Sequence, residues 1–384
     1  MAVTLAIQPD SFTPSDNPIV WTWSSNQTGQ TNFSYIVEVY IDAVLHSSHQ
    51  TFPEVSTYSH FDASEILKSL TPVPAIGQAT FVDDATNNRE VYVIVREFYG
   101  DPLAFGASAT SSTVTAFKSR IDDEDMDNWA SSVYTVSTSA KKFLTDSPNT
   151  LKVREGQDYY LSIITDEVSN IGAIVEFYDV DDVQITALDY NAPTSFKITQ
   201  LNLNTDIFLP TLTQPVLDTV SYIKVFYANA GSLPISETKT FYLDRGCNYG
   251  GQLLFINKYG AFDCFTFAHN LSRKADHTSK SFEKQYGGWV GIVYTLNSND
   301  SGVQTYFKTA TDKISLSSDY ISEAVQNWLV KTCYISSIVY LYDNGYLKVN
   351  ILSSSYSFEQ DRFLESYTEI IEIGLSNTRK GLTV

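Results

Sequence analysis

Short stretches of strict apolar alternation recur along this chain. Ile19-Val-Trp21-Thr-Trp23, Phe33-Ser-Tyr35-Ile-Val37-Glu-Val39-Tyr-Ile41 and Glu90-Val91-Tyr-Val93-Ile-Val95-Arg96 each line up their odd positions. A period of two is the mark of a half-buried strand, and residues 113–117 would close such a sheet. Between these runs, Phe61-Asp62-Ala-Ser64-Glu65-Ile66-Leu67-Lys-Ser-Leu70 has an Asp cap and apolar spacing for one or two helical turns. Strands at these intervals predict that residues 1–117 form an immunoglobulin- or fibronectin-III-like β-sandwich module.

The theme continues with strand candidates at 159–164, 173–178, 195–198, 222–227 and 240–243. Turn chemistry such as Tyr190-Asn-Ala-Pro193 and Asn229-Ala-Gly231 separates them, so residues 118–245 are read as a second sandwich. Residues 246–384 are mixed. They hold a strand at 253–256 and an amphipathic helix over 318–329 with Ile321, Val325, Trp328 and Leu329 on one face. A hairpin follows, 338–342 with 346–351, whose Asp343-Asn344-Gly345 supplies the positive φ angles of its turn, and a late strand lies at 367–373. The expected fold is mostly β: two immunoglobulin- or fibronectin-III-like β-sandwich modules followed by a smaller α+β domain.

Composition supports this reading and divides the chain chemically. The 384 residues include 25 Tyr, 22 Phe and 5 Trp, which favour pleated, half-buried surfaces. The net charge of −19 argues against a general nucleic-acid binder, since phosphate binding needs the opposite sign. It is unevenly spread: residues 1–117 carry −9, residues 118–245 another −9, and residues 246–384 only −1. All three cysteines (Cys247, Cys264, Cys333) lie in the last part. An odd count without Cys-x-x-Cys spacing predicts reduced, buried thiols rather than disulfides or zinc, as in a chain folded in a reducing cytosol. No basic-apolar leader opens the sequence and no apolar run reaches membrane-spanning length, so no membrane partner is expected.

Residues able to carry chemistry are scattered. His46 and His49 are three apart on a strand-like stretch, which sets them on opposite faces and disfavours a metal pair. Asp122, Asp123, Glu124, Asp125 and Asp127 lack the central Gly and terminal Glu of a calcium loop, and read as a solvated acidic linker or short helix. Asp179, Asp181 and Asp182 suit a tight turn between strands, and Trp21 and Trp23 suit a core rather than a sugar platform. None of the phosphate-loop, dinucleotide, zinc-protease or nucleophile-elbow motifs occurs. No catalytic residue, cofactor or metal is expected, and the chain reads as a non-enzyme.

One segment is distinctive: Gln252-Leu253-Leu254-Phe255-Ile256-Asn257-Lys258-Tyr259-Gly260-Ala261-Phe262-Asp263-Cys264-Phe265-Thr266-Phe267. It resembles a pattern in virion structural proteins of tailed phages that infect Bacteroidota. There a strand ending in Leu-Asn leads through a basic-aromatic-Gly-Gly-aromatic turn to an aromatic-Thr-Phe strand. Ala261-Phe262 stand here at the second Gly and the following aromatic. Phe61-Asp62-Ala63-Ser64, Trp328-Leu329, the hairpin at 338–351 and the strand at 367–373 are similar to further parts of that pattern, in the same order. The crAss-like phages of this group build neck and tail from stacked rings of β-rich proteins. The resemblance therefore implies a subunit of a homo-oligomeric ring between portal and tail, located in the virion and made in the bacterial host cytoplasm.

Its implied partners are copies of itself, neighbouring virion proteins such as portal or tail components, and transiting DNA that it does not bind specifically. The near-neutral third segment is expected to carry most contacts between copies. Asn257, Lys258, Tyr259, Gly260, Ala261 and Phe262 are the candidate intersubunit contacts, with a buried core turn as the alternative for each. The −18 on the first two segments suits a lumen that repels DNA phosphates. The rival from another class is a carbohydrate-binding adhesin or receptor-binding tail protein that holds glycan on exposed aromatics.

Overall fold

The structure is a computed structural model that describes residues 3–77, 81–83, 88–136, 141–166, 171–194, 197–204, 212–229, 231–246, 250–284, 287–296, 302–342, 345–352, 367–376 and 379–380. It is mostly β, with several sheets and a few short helices. Two compact units emerge: Met1–Arg245 with Ile256–Cys264, and Gly246–Phe255 with Phe265–Val384.

Within the first unit, the alternating strands behave as their pattern demands. Val20–Ser24 lies between Thr4–Ile7 and Tyr58–Asp62 in a three-stranded sheet. Ser34–Ile41 and Asn88–Tyr99 form the middle of a six-stranded sheet. The inward residues of both sheets meet: Trp21, Trp23, Tyr35, Val37, Val39, Val91, Val93 and Val95 are all fully buried in one core. Trp23 meets Tyr35 edge-on at 5.9 Å between ring centroids, a favoured aromatic geometry. The short helix Ser64–Leu70 is entered through Asp62, whose Oδ1 accepts from the amides of Ile19 and Ser64.

A five-stranded sheet follows, ordered Thr150–Arg154, Lys239–Asp244, Tyr222–Asn229, Ile171–Tyr178, Gln184–Asn191. A separate three-stranded sheet is a composite. Tyr160–Ile164 and Ile198–Asn202 pair with each other, and Ile198–Asn202 also takes up Phe81–Asp83 from the first segment. Side chains reinforce this crossing. Tyr160 Oη donates to Gly77 O at 2.9 Å, and buried Asn202 donates from Nδ2 to Asp158 at 2.9 Å and to Gly77 O at 3.3 Å. The segments expected as separate modules at 1–117 and 118–245 thus share a sheet and fall into one compact unit. Residues 195–196, part of an expected strand, lie outside the described residues, and the strand itself runs Ile198–Asn202.

The second unit is built on an eight-stranded sheet that includes Gly251–Ile256, Val339–Tyr342, Tyr346–Ile351, Ile370–Leu375, Gly302–Ser317 and Asn270–Lys284, in that spatial order. The expected hairpin is present as Val339–Tyr342 paired with Tyr346–Ile351; two of its turn residues, 343–344, lie outside the described residues. The helix begins later than its apolar spacing suggests, at Glu323, because the side chain of Ser322 caps it by accepting from the amide of Val325. Ile321 precedes the helix and bridges to Tyr367 instead. Trp328 packs against Phe255 and Phe265, at 5.6 and 6.3 Å between centroids.

Candidate functional site

The six residues singled out by the sequence sit in the turn between Gly251–Ile256 and Phe262–Phe267, and the turn belongs to the first unit. Asn257 organises it from within. Its Oδ1 accepts from the amides of Tyr259 and Ala261 at 2.9 and 3.1 Å, while Nδ2 donates to Leu144 O at 2.8 Å. An Asn side chain that bonds its own downstream backbone makes a preformed turn, and here the same side chain also ties the turn to residues 141–147. Gly260 adopts φ +74°, and a Cβ there would stand 1.5 Å from Lys118 O. The position requires Gly both for its left-handed backbone and for the close approach of another chain segment.

The carbonyl of Lys258 accepts from Arg120 N at 2.9 Å and from Ser119 Oγ at 2.7 Å. Its ammonium lies 2.9 Å from Asp125, 2.9 Å from Asp146 and 3.6 Å from Asp122. Burial alone would lower the pKa of this lysine, but hydrogen bonds to Asp125 and Asp146 outweigh it and hold the group above its ordinary value. The acidic run read as a solvated linker therefore has a partner: Asp123–Met126 is one helical turn, and the acids at its start and centre grip Lys258.

Tyr259 completes the seat. Its hydroxyl donates to Asp146 at 2.8 Å and accepts from Tyr134 at 3.3 Å, and burial raises its pKa above the usual phenol range. Tyr134 stacks on Trp129 at 5.1 Å, and Trp129 donates from Nε1 to Phe12 O at 3.2 Å. One buried cluster joins Phe12 and Phe117, then Ile121, Leu144, Ile164 and Ile198, then Tyr259 and Ala261. All three sequence segments contribute to that core. Asn257, Tyr259, Ala261 and Phe262 are buried, and their named partners belong to the same chain. The structure thus places the six residues in a turn that packs within the chain.

The other sequence candidates separate. Trp21 and Trp23 are fully buried. His46 is exposed, and His49 meets Ser47 Oγ at 2.9 Å. Asp179 Oδ1 accepts from the amides of Asp181 and Val183 at 2.9 and 2.8 Å, which makes the tight turn between Ile171–Tyr178 and Gln184–Asn191. Cys264 and Cys333 are buried and free, and burial pushes both thiols up; Cys247 lies outside the described residues. Among the described residues no cluster of three or more His, Cys, Asp or Glu could hold a metal, and no helix is long and apolar enough to cross a membrane.

One feature has no counterpart in the sequence reading. Asn270–Lys284 and Gly302–Ser317 pair along almost their whole length as a two-stranded ribbon. The chain between them carries a second small hairpin, Gly288–Val290 with Val293–Thr295, whose side chains are exposed. The apolar pattern that reveals a half-buried strand is missing here because much of this ribbon has no buried face.

No family model and no curated protein matches the chain. Among solved structures, a marsupial T cell receptor aligns at 7% identity with a TM-score of 0.21, over 82% of this chain and 96% of that one. A likeness at that level carries no argument about fold or function.

Proposed function

We propose that this chain is a non-enzymatic structural subunit of a tailed-phage virion, forming a homo-oligomeric ring in the neck or tail between portal and tail. In this reading the two sandwich-like halves of the first unit are immunoglobulin- or fibronectin-III-like modules, and the second unit is the smaller α+β domain. The observation that carries the structural role is how the chain uses its polar groups. The acids at 122, 125 and 146 are held on Lys258, buried Asp158 binds Asn202 and Asn204, and buried Glu97 accepts from Ser25 Oγ and Ala107 N. Groups that could serve chemistry are tied into hydrogen bonds and ion pairs within the fold, and those on Lys258 join two segments, which suits a scaffold that transmits load. The phage assignment rests on the resemblance of residues 252–267 and the elements ordered with them.

Ring subunits meet head to tail, so each copy offers two different surfaces. Portal or tail components would flank the ring, and DNA would pass through it without specific binding. The −18 of residues 1–245 suits a lumen that repels phosphate; a ring structure with a basic lumen and those acids outward would remove that part of the reading. Size-exclusion chromatography with negative-stain imaging of the full chain tests the whole. Closed rings of many copies are expected. A monomer or trimer that binds sugars on a glycan array would replace the proposal with the adhesin reading.

A further inference from the structure

The ribbon of Asn270–Lys284 and Gly302–Ser317 is long beside the roughly 3–10 residues usual for strands in globular proteins. Fifteen residues in one strand and sixteen in the other extend it about 50 Å at about 3.3 Å per residue. Near its base, Gly302–Ser317 also pairs with Ile370–Leu375 and Arg379–Lys380, through residues 309–317. Beyond that, residues 302–308 and 279–284 are paired with each other alone among the described strands. Two-stranded ribbons are marginal in water unless something covers a face. From Arg273 to Glu283 every residue is exposed.

The hairpin that the ribbon carries is apolar where solvent-exposed chains are normally polar. Trp289, Val290, Ile292, Val293, Tyr294 and Leu296 are 72, 69, 94, 59, 46 and 77% exposed, and residues 287–296 contain no charged side chain. Scattered exposed apolar residues need no explanation, but six within eight positions form a patch of the kind that marks an interaction site. Ribbon and tip together, residues 270–317, hold six basic and four acidic side chains. They are thus net positive in a chain of net −19, whose residues 1–245 carry −18.

We propose that this arm docks on the acidic first unit of a second copy of the chain, with the apolar tip as its anchor. The inference rests on the ring reading above and specifies the joint between subunits. Charge selects the partner, because a positive arm is steered towards the acidic unit of another copy and away from the near-neutral one. The size is sufficient. A ribbon face about 50 Å long and about 10 Å wide, with the tip added, approaches the roughly 800 Å² per partner of a standard interface. The two surfaces differ, so the contact is head to tail, the type that closes into a ring or runs on as a filament.

The test compares the full chain with two variants by light-scattering chromatography and sedimentation. One carries Trp289→Ser and Ile292→Ser; the other carries Lys274→Glu, Lys280→Glu and Lys308→Glu. The changed side chains are exposed, and circular dichroism checks that each variant keeps its fold. The expected result is that the wild type self-associates and both variants do so at least about tenfold more weakly. Raising salt from about 0.1 M to about 1 M, which cuts the Debye length from about 10 to about 3 Å, should weaken the wild type more than the lysine variant. Assembly unchanged in both variants would overturn the arm as the joint while leaving the ring reading intact. A wild type that stays monomeric would overturn both. If the tip variant loses sedimentation with anionic phospholipid vesicles but keeps wild-type self-association, the tip serves a lipid surface and the proposal fails.

Discussion

Asn257-Lys-Tyr-Gly-Ala-Phe262 and Trp289-Val-Gly-Ile-Val-Tyr294 are both six-residue aromatic stretches with one internal Gly at positive φ. Their surroundings are opposite. Around Gly260 the chain is so close that a Cβ would collide with Lys118 O, whereas a Cβ at Gly291 would meet nothing within 4 Å. The first turn carries an Asn, a Lys and a Tyr hydroxyl, each matched to a partner on residues 118–146. The second has no charged residue and leaves Ile292 94% exposed. Apolar character alone does not decide whether a turn packs within its own chain. Built-in polar anchors decide it, because a buried turn must satisfy its backbone and an unsatisfied amide costs about 1–3 kcal/mol.

The sharpest way to break the contrast is to place the same substitution in both turns. Gly260→Ala puts a Cβ 1.5 Å from a backbone oxygen, so the turn must leave its seat; a loss above about 3 kcal/mol is expected. Gly291→Ala meets only the left-handed backbone penalty of about 1–2 kcal/mol, confined to the tip hairpin. Urea unfolding followed by near-ultraviolet dichroism measures both, and equal losses would show that the two glycines serve backbone geometry alone. Asn257→Ala comes next. It strips the acceptor from the amides of Tyr259 and Ala261 and the donor from Leu144 O, for an expected cost of about 2–4 kcal/mol. A change below about 0.5 kcal/mol would mean that water replaces this side chain and that it does not organise the turn.

The difference between the two turns also explains what could be read from the sequence. Strands such as Ser34–Ile41 and Asn88–Tyr99 were legible because one face is buried and the other is not, so alternation survives in the residues. The long ribbon was not, since a strand exposed over most of its length has no apolar period to detect. Residues 257–262 stood out as a motif, but their seat did not. The partners Lys118, Leu144 and Asp146 lie more than 100 positions away, and nothing local distinguishes Asp125 as a lysine's partner from Asp125 in a solvated linker. The joint core of Phe12, Ile121 and Tyr259 was hidden for the same reason. Each is an ordinary apolar residue within its own segment, and only the fold brings them together.

A smaller effect separates the turns by pH. Lys258 has a folded pKa above its ordinary value of 10.5, with burial opposing the shift and the hydrogen bonds to Asp125 and Asp146 driving it. A raised folded pKa contributes stability that is whole below the unfolded pKa and is lost as pH rises through the folded one. Tyr259, raised by burial, works in the same direction, since the folded chain keeps its phenol neutral. Stability should therefore fall at alkaline pH, and the fall between about pH 9.5 and pH 12 should be shallower in Lys258→Met. The aspartates are about half exposed, so water screens the pairs and the difference should be about 1 kcal/mol or less. Urea midpoints across that range give the slope; an identical slope in the variant would remove Lys258 as a contributor.

The smallest expected effect is the most informative about the tip. Trp289→Ser and Ile292→Ser remove side chains that are 72 and 94% exposed, so the folding stability of the dilute chain should stay within about 0.5 kcal/mol of the wild type. A residue that large would normally cost about 3–5 kcal/mol to truncate in a core. The absence of a cost means the chain gains nothing from these side chains when alone. Measured instead at rising protein concentration, the wild type should become more stable and the variant should not, because a partner that binds only the folded state adds stability by mass action. A large loss in the dilute variant would mean that the tip packs on its own chain in solution. It would then be a second buried turn, and the contrast with residues 257–262 would disappear.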